Sequence, residues 1–339
     1  MHKHFEVIKR IIMPLFGMEE VNYSSRQHWT KEKQPDPPNF GEARRISQPE
    51  LVEILRRRRP ACERFLAAQA HICPFIPGKV SLVILSCKRL PELKRLLSGL
   101  VPFFQKIEKY PLIEKILVDN GSGSDLIDYC KKLGFFDHIV AHPKNLGMAG
   151  ALNDIYPQCN GEFILFVEDD FIIDYSEAFL ERCVNLMRER PEVGIIRLKN
   201  QNNWWKPTRV ISERLVTKTG VPFWLWLPYA DYLLLKSRWL SPFVRFIKYD
   251  LLIRLLSKLL KIKFNYNVWV CGSVLFRKSS FMGTGRLAEG KTGRKQAVYV
   301  EAVYGRKYNS IWLAAKLEQC YPFVQPNDNA LSPGFLDKL

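Results

Sequence analysis

The chain has 339 residues, 47% of them hydrophobic and 25% charged, which excludes wholesale disorder and allows a sizeable core in one large domain or two halves. A formal net charge of +17 favours phosphate-rich partners (nucleotides, anionic lipid, nucleic acid), and no uninterrupted apolar run is long enough to cross a membrane. Eight cysteines without a Cys-x-x-Cys pair read as reduced structural thiols of a cytosolic protein.

Residues 1–77 read as a basic, irregular extension. The apolar piece Ile11 to Met18 is short, contains Pro14 and lacks a cleavage site, so no signal peptide is expected. Pro35, Pro37 and Pro38 mark a linker between two helical pieces. In the second piece Ser47 and Glu50 form a capping box, and the helix through Leu51 and Leu55 is expected to stop before Pro60. Its arginines, Arg56 to Arg59, read as a solvated helix end, with contact to anionic lipid or nucleic acid as the alternative.

From Lys79 a strand and helix alternation sets in. Val80 to Leu85 is an apolar strand, Pro91 to Phe104 an amphipathic helix, Lys115 to Val118 a strand, and Asp125 to Leu133 a helix. His138 to Ala141, Met148 to Tyr156 and Phe163 to Val167 continue the series, and a further helix is expected over Ala178 to Arg190, opened by Asp174 and Glu177. Such alternation implies right-handed crossovers and a mostly parallel sheet flanked by helices, an α/β fold whose ligands bind at the carboxyl ends of the strands.

Each of those ends is polar. The first strand delivers Ser86-Cys87-Lys88-Arg89, and the second Asp119-Asn120-Gly121-Ser122-Gly123-Ser124. The third leads to Lys144-Asn145-Leu146-Gly147, and the fourth to Glu168-Asp169-Asp170. The Asp119 run has turn composition and stands where a nucleotide would lie. Asp119 offers acceptors to a base or ribose, Ser86 and Arg89 approach its other edge, and Lys144 supplies charge for a diphosphate. Gly147 allows a tight loop.

Side chains alternate on a strand, so Glu168 and Asp170 leave on one side if the extended geometry persists. Carboxylates there become tolerable around Mg2+ or Mn2+, ions held by one or two carboxylates plus substrate phosphates. Negative charge before the next helix is the plainer reading of the same acids. Neither a Gly-x-Gly-x-x-Gly fingerprint after the first strand nor a Gly-x-x-x-x-Gly-Lys-Ser/Thr loop is present, which weakens dehydrogenase and P-loop readings.

Val-Ile-Leu-Ser-Cys-Lys-Arg (83–89), Leu-Val-Asp-Asn-Gly-Ser (117–122), Lys-Asn-Leu-Gly-Met-Ala-Gly-Ala-Leu-Asn (144–153) and Phe-Val-Glu-Asp-Asp (166–170) together resemble the nucleotide-sugar half of a GT-A glycosyltransferase, most similar to family 2. The resemblance implies a GT-A (nucleotide-diphospho-sugar transferase) fold, with residues 78–200 as the donor half and 201–339 as the acceptor half. It puts Ser86 and Arg89 in the nucleoside-binding turn, Asp119 and Asn120 at the base or ribose, and Asn145 to Asn153 along the donor. Glu168, Asp169 and Asp170 take the Asp-x-Asp position, with Glu168 and Asp170 as metal ligands and Asp169 beside the donor. A glutamate replaces the commoner first aspartate, and Leu152 stands where many members have arginine. The implied reaction is metal-dependent transfer, with inversion, from a nucleoside diphosphate sugar to a hydroxyl of a polysaccharide, glycan or lipid-linked saccharide.

In the second half Asn200 to Trp205 and Phe223-Trp224-Leu225-Trp226 concentrate aromatic and amide side chains. They suit either core packing or a sugar platform. Between Lys236 and Lys263 eight basic residues face one acid, Asp250, and Leu251 to Ile262 form a broad apolar arc. The helix at about 241–263 reads equally as an in-plane membrane helix or as a core helix with a solvated basic side. Val268 to Arg277 reads as a returning strand with a glycine bend. The resemblance makes Glu301 the general base, with Glu289 and Asp231 behind it. The family often supplies a late histidine near the metal, and here Tyr321-Pro-Phe-Val-Gln325 has glutamine nearby.

The expected protein is a cytoplasmic glycosyltransferase, peripheral at the inner face of a membrane if the basic helix binds lipid, with no nucleic-acid partner. A sugar nucleotidyltransferase and a basic scaffold binding membrane or nucleic acid are the alternatives. The first usually carries a glycine-rich basic loop after its first strand, absent here, and the second needs neither carboxylates nor a divalent ion.

Overall fold

The computed structural model describes residues 44–69, 73–199, 210–227, 272–289, 304–305, 307–309 and 311–325. The Asn200 to Trp205 cluster, Asp231, the basic helix at 241–263 and Glu301 lie outside the described residues.

The chain enters through a short strand, β1 (Arg44–Ile46), and a long helix, α1 (Gln48–Gln69). The alternation follows as expected: β2 (Ile76–Ser86), α2 (Leu90–Lys106), β3 (Ile113–Asn120), α3 (Ser124–Leu133), β4 (His138–His142), α4 (Gly147–Gln158) and β5 (Gly161–Glu168). Parallel pairing joins β4 to β3, β3 to β2 and β2 to β5. After the small strand β6 (Ile172–Ile173) come α5 (Leu180–Glu189), β7 (Val193–Arg197), β8 (Val210–Ser212), β9 (Leu215–Val216) and β10 (Pro222–Leu227). Then β11 (Val274–Arg277) leads into α6 (Lys278–Thr284), followed by β12 (Leu313–Leu317) and β13 (Phe323–Val324).

Among the described residues the main sheet has eleven strands in the order β1, β8, β10, β12, β7, β11, β5, β2, β3, β4, with β9 paired to β10. The returning strand β11 runs antiparallel between β5 and β7, and Gly272, at φ +137°, makes the bend before it. A separate ribbon pairs β13 with β6, immediately beyond the acids of β5.

Alternation along the buried strands sorts their side chains onto two cores. Leu82, Ile84, Phe163, Leu165 and Val167 meet α2, α3 and α5 through Leu93, Leu97, Phe103, Leu126, Val184 and Met187. Val83, Ile164, Phe166 and Phe276 face α4 and α6 through Leu152, Ile155, Tyr156 and Phe281. Trp226 is buried against that second core, with the Arg197 guanidinium 4.4 Å from its ring, so this tryptophan serves packing rather than an open platform.

Two local expectations are corrected. The helix α1 does not stop at Pro60 but continues to Gln69. Contacts from distant sequence hold its second half: Arg58 donates to Asn309 O (2.9 Å), Cys62 Sγ to Ile311 O (3.0 Å), and Phe65 packs edge-on against Trp312. The capping box is present as Ser47 N and Oγ both donating to Glu50 Oε2, each at 3.0 Å. The second correction concerns α5, which begins at Leu180, past the Asp174 and Glu177 start. Buried Glu108, at the end of the α2 segment, accepts from Phe179 N (2.9 Å) and Leu180 N (3.2 Å) and places negative charge on that helix end.

Candidate active site

The carboxyl ends of β2, β3 and β5 lie side by side, with Ser86 opposite Asp119 and Leu85 opposite Glu168 in register. Three turns leave this edge and are bonded to one another. From the first, Cys87 Sγ donates to Asn120 O (3.2 Å), and Lys88, at φ +55°, donates its N–H to Ser122 Oγ (2.7 Å). In the second, Ser122 N donates to both oxygens of Asp119, at 3.0 and 3.2 Å, the local bond that makes an Asx turn. Each of those oxygens keeps a lone pair for a ligand donor.

The second and third turns are joined through asparagines. Asn120 Nδ2 donates to Asn145 Oδ1 (2.9 Å) and Asn120 Oδ1 accepts from Leu146 N (2.9 Å), while Asn145 Oδ1 also accepts from Gly147 N (2.7 Å). Gly121, at φ +82°, lets the two loops touch, since a Cβ there would stand 2.6 Å from Asn145 N and from Lys144 C. Lys144 and Asn145 are exposed on the open side of this junction.

The strand geometry ends at Glu168, and Asp169 and Asp170 sit in a turn, with Phe171 N donating to Glu168 O (3.3 Å). The alternation that pairs Glu168 with Asp170 on one side therefore does not extend through the acids. The two brought to a common partner are Asp169 and Asp170, whose oxygens lie 3.2 and 3.8 Å from Arg89 Nη1. Ser86 Oγ donates to Asp169 Oδ2 at 2.7 Å. Burial pushes the Asp169 carboxyl up to about 6, against the lowering pull of Arg89 and Ser86.

Asp170 is held differently. Its Oδ2 accepts from Gln325 Nε2 (2.8 Å), while its Oδ1 is buried with no hydrogen-bond partner among the described residues. A buried carboxylate oxygen without a donor is costly unless a cation meets it, so the residue suits a hard divalent ion. Among the described residues no group of three or more His, Cys, Asp or Glu is placed to hold a metal. An ion taking most of its ligands from a diphosphate needs no such group.

Asn153 is buried away from the loop junction. Its Nδ2 donates to Leu287 O (2.9 Å) and Glu289 Oε1 (2.6 Å), and its Oδ1 accepts from Leu287 N (2.8 Å). It clamps the segment after α6, and Glu289, also bonded by Arg286, is engaged there. Sequence reasoning missed Lys199, which donates to Gln325 Oε1 and stands 5.0 Å over the Phe171 ring. A lone lysine two residues past a strand carries no local signal.

This is a GT-A arrangement: an α/β sheet with polar turns after β2 and β3 and an acidic turn after β5 at one edge. Residues 81–247 match the model of glycosyl transferase family 2, and that segment carries the family's glycosyltransferase domain. No curated protein matches the sequence. Among solved structures, S. aureus TarS 1-349 aligns at 13% identity over 73% of this chain and 60% of its own, with a TM-score of 0.45. Its complex with UDP-GlcNAc gives 13%, 73%, 58% and 0.45. The mannosyltransferase PcManGT from Pyrobaculum calidifontis, in complex with GDP-Man and Mn2+, gives 16%, 45%, 43% and 0.29. This chain thus spans about 60% of the length of the first of these.

Proposed function

We propose that the chain transfers a sugar from a nucleoside diphosphate donor to a hydroxyl of a polysaccharide, glycan or lipid-linked saccharide, with a divalent cation and with inversion. The observation that carries this reading is the Asp169-Asp170 turn, with Asp169 buried and Asp170 half-buried, meeting Ser86 and Arg89 at the same sheet edge as Asp119. The family match supports the transfer. The ion rests on the acids that follow β5, and inversion and the acceptor rest on the resemblance to the family.

In this reading Asp119 and Asn120, with the Ser86 and Arg89 turn, take the nucleoside, and Lys144 brings positive charge to the diphosphate. Asp170, with Glu168, would hold Mn2+ or Mg2+, an ion that supplies Lewis-acid neutralisation of the departing diphosphate. Glu301 would take the acceptor proton as the hydroxyl attacks the anomeric carbon from the opposite face. Contact of the basic 241–263 segment with anionic lipid would bring a lipid-linked acceptor to the site. Among the described residues no helix is long and apolar enough to cross a membrane.

Calorimetric binding of UDP and of GDP, each with and without Mn2+, tests the reading. One nucleotide is expected to bind, more tightly with the ion, and Asp170→Ala is expected to lose that ion dependence and the transfer while keeping its unfolding transition. Equal binding with and without Mn2+, or full transfer by the variant, would remove the metal from the scheme.

A further inference from the structure

Gln325 lies 155 residues from Asp170, yet its amide is the partner that orients the acid. The C-terminal segment is brought there by backbone bonds: β13 pairs with β6, Asp174 N donates to Pro322 O (3.0 Å), and Phe323 N donates to Leu198 O (3.3 Å). Residues 322–325 are thereby wedged between the chain leaving Asp170 and the chain leaving β7. Lys199, paired by an isolated bridge to Phe323, then meets the Gln325 side chain.

The direction of each bond is fixed by chemistry. A lysine ammonium has donors and no acceptor, so it requires the amide oxygen of Gln325. The amide nitrogen then faces Asp170 and donates to Oδ2. With the amide reversed, its oxygen would face the carboxylate and its nitrogen the ammonium, both repulsive. Of the two Asp170 oxygens one is therefore occupied by a fixed donor, and the other, Oδ1, is buried and lacks a hydrogen-bond partner among the described residues.

We infer that Gln325, held in one orientation by Lys199, is a positioning residue that presents Asp170 Oδ1 to a divalent cation. The inference rests on the metal reading above and goes beyond it by naming the pair that sets the ligand's geometry. Outer partners of this kind typically change metal affinity by about 10–100-fold when removed.

The test titrates Mn2+ into the full chain with UDP, and in parallel with GDP, following the free-ion electron paramagnetic resonance signal, with thermal unfolding recorded for each variant. Gln325→Leu and Lys199→Met are expected to weaken Mn2+ binding about tenfold or more. Lys199→Arg, which keeps a donor for the amide oxygen, is expected to stay within about threefold of the unsubstituted protein, a rescue that a purely structural lysine would not show. Unchanged Mn2+ affinity in a folded Gln325→Leu overturns the inference. If that variant does not fold, the lysine pair decides, and equal affinity in Lys199→Met and Lys199→Arg overturns it. Absence of Mn2+ binding by the unsubstituted protein with either nucleotide fails the metal reading itself and takes the inference with it.

Discussion

Arg89 Nη1 stands 3.2 Å from Oδ1 of Asp169, a carboxylate that is only 3% exposed. The arginine is the cation that makes a buried acid tolerable at this sheet edge, and it lies 3.8 Å from Asp170 as well. Removing one partner of a buried pair leaves the other charge uncompensated. Because Arg89 is 20% exposed, Arg89→Ala is expected to cost about 1–3 kcal/mol, less than breaking a fully buried pair does. Asp169→Asn should offset most of that loss in the double variant. Urea unfolding of the four proteins of the cycle checks this, and additive losses would show that the pair is not coupled.

Gly121 and Gly134 allow a controlled comparison. Both have positive φ, +82° and +64°, so an alanine is strained at either. Only at Gly121 of the two does the added Cβ meet backbone, at 2.6 Å from Asn145 N, whereas at Gly134 nothing among the described residues lies within 4 Å. Gly134→Ala is expected to cost about 1 kcal/mol in stability and leave nucleotide affinity unchanged. Gly121→Ala is expected to cost more and to weaken nucleotide binding at least about fivefold, because the Lys144-Asn145 loop must move off the Asp119 turn. Chemical denaturation and nucleotide titration measure both, and equal effects of the two substitutions would contradict the close approach.

How much of this was legible in the sequence depends on where each constraint comes from. The strands β2, β3 and β5 could be read because burial on both faces leaves continuous apolar runs ending in turn residues. The continuation of α1 past Pro60 could not, since the groups that hold it, Asn309, Ile311 and Trp312, are roughly 250 residues away. The acids stand at the end of β5, where the apolar run stops, but the extended geometry on which a shared side for Glu168 and Asp170 depends ends at Glu168, which the sequence does not signal. Gln325 stood out only as an amide where the resemblance led one to look for histidine. Its link to Lys199 spans 126 residues and depends on β13, a strand of two residues with almost no pattern of its own.

Glu108 carries a stability prediction that no helix-start pattern suggests. It accepts from Phe179 N and Leu180 N while also bonding Tyr110 N (3.2 Å), so one buried carboxylate closes the loop after α2 and caps α5. Glu108→Ala removes the acceptor from two backbone donors and is expected to cost about 2 kcal/mol. Glu108→Gln retains an oxygen and loses the charge that the helix end favours, so a smaller loss, about 1 kcal/mol, is expected. Equal losses for the two variants would show that charge at the α5 end contributes nothing.

Lys316 supplies the pH dependence. It lies on β12 opposite Trp224, 8% exposed, with the Tyr321 ring 3.9 Å from its ammonium. Burial, with the like charge of Arg197 beside it and a smaller opposing pull from Cys320, lowers its pKa to about 7. In the unfolded chain the same amine holds its proton up to the ordinary lysine range, about 10.4. Above pH 7 the unfolded state therefore binds the extra proton, and stability rises with pH, by about 1.4 kcal/mol per unit where this group alone titrates. Below pH 7 both states are protonated and the cost of the buried charge is fully present. The buried thiols Cys62 and Cys130, pushed up to about 11, act in the opposite sense above pH 9, so the rise is confined to about pH 7 to 9. Lys316→Met, which keeps the stem and removes the charge, is expected to be more stable than the unsubstituted protein at pH 7 and to show a flatter profile from 7 to 9. Denaturation midpoints across that range decide it, and an unchanged slope in the variant would assign the pH dependence to other groups.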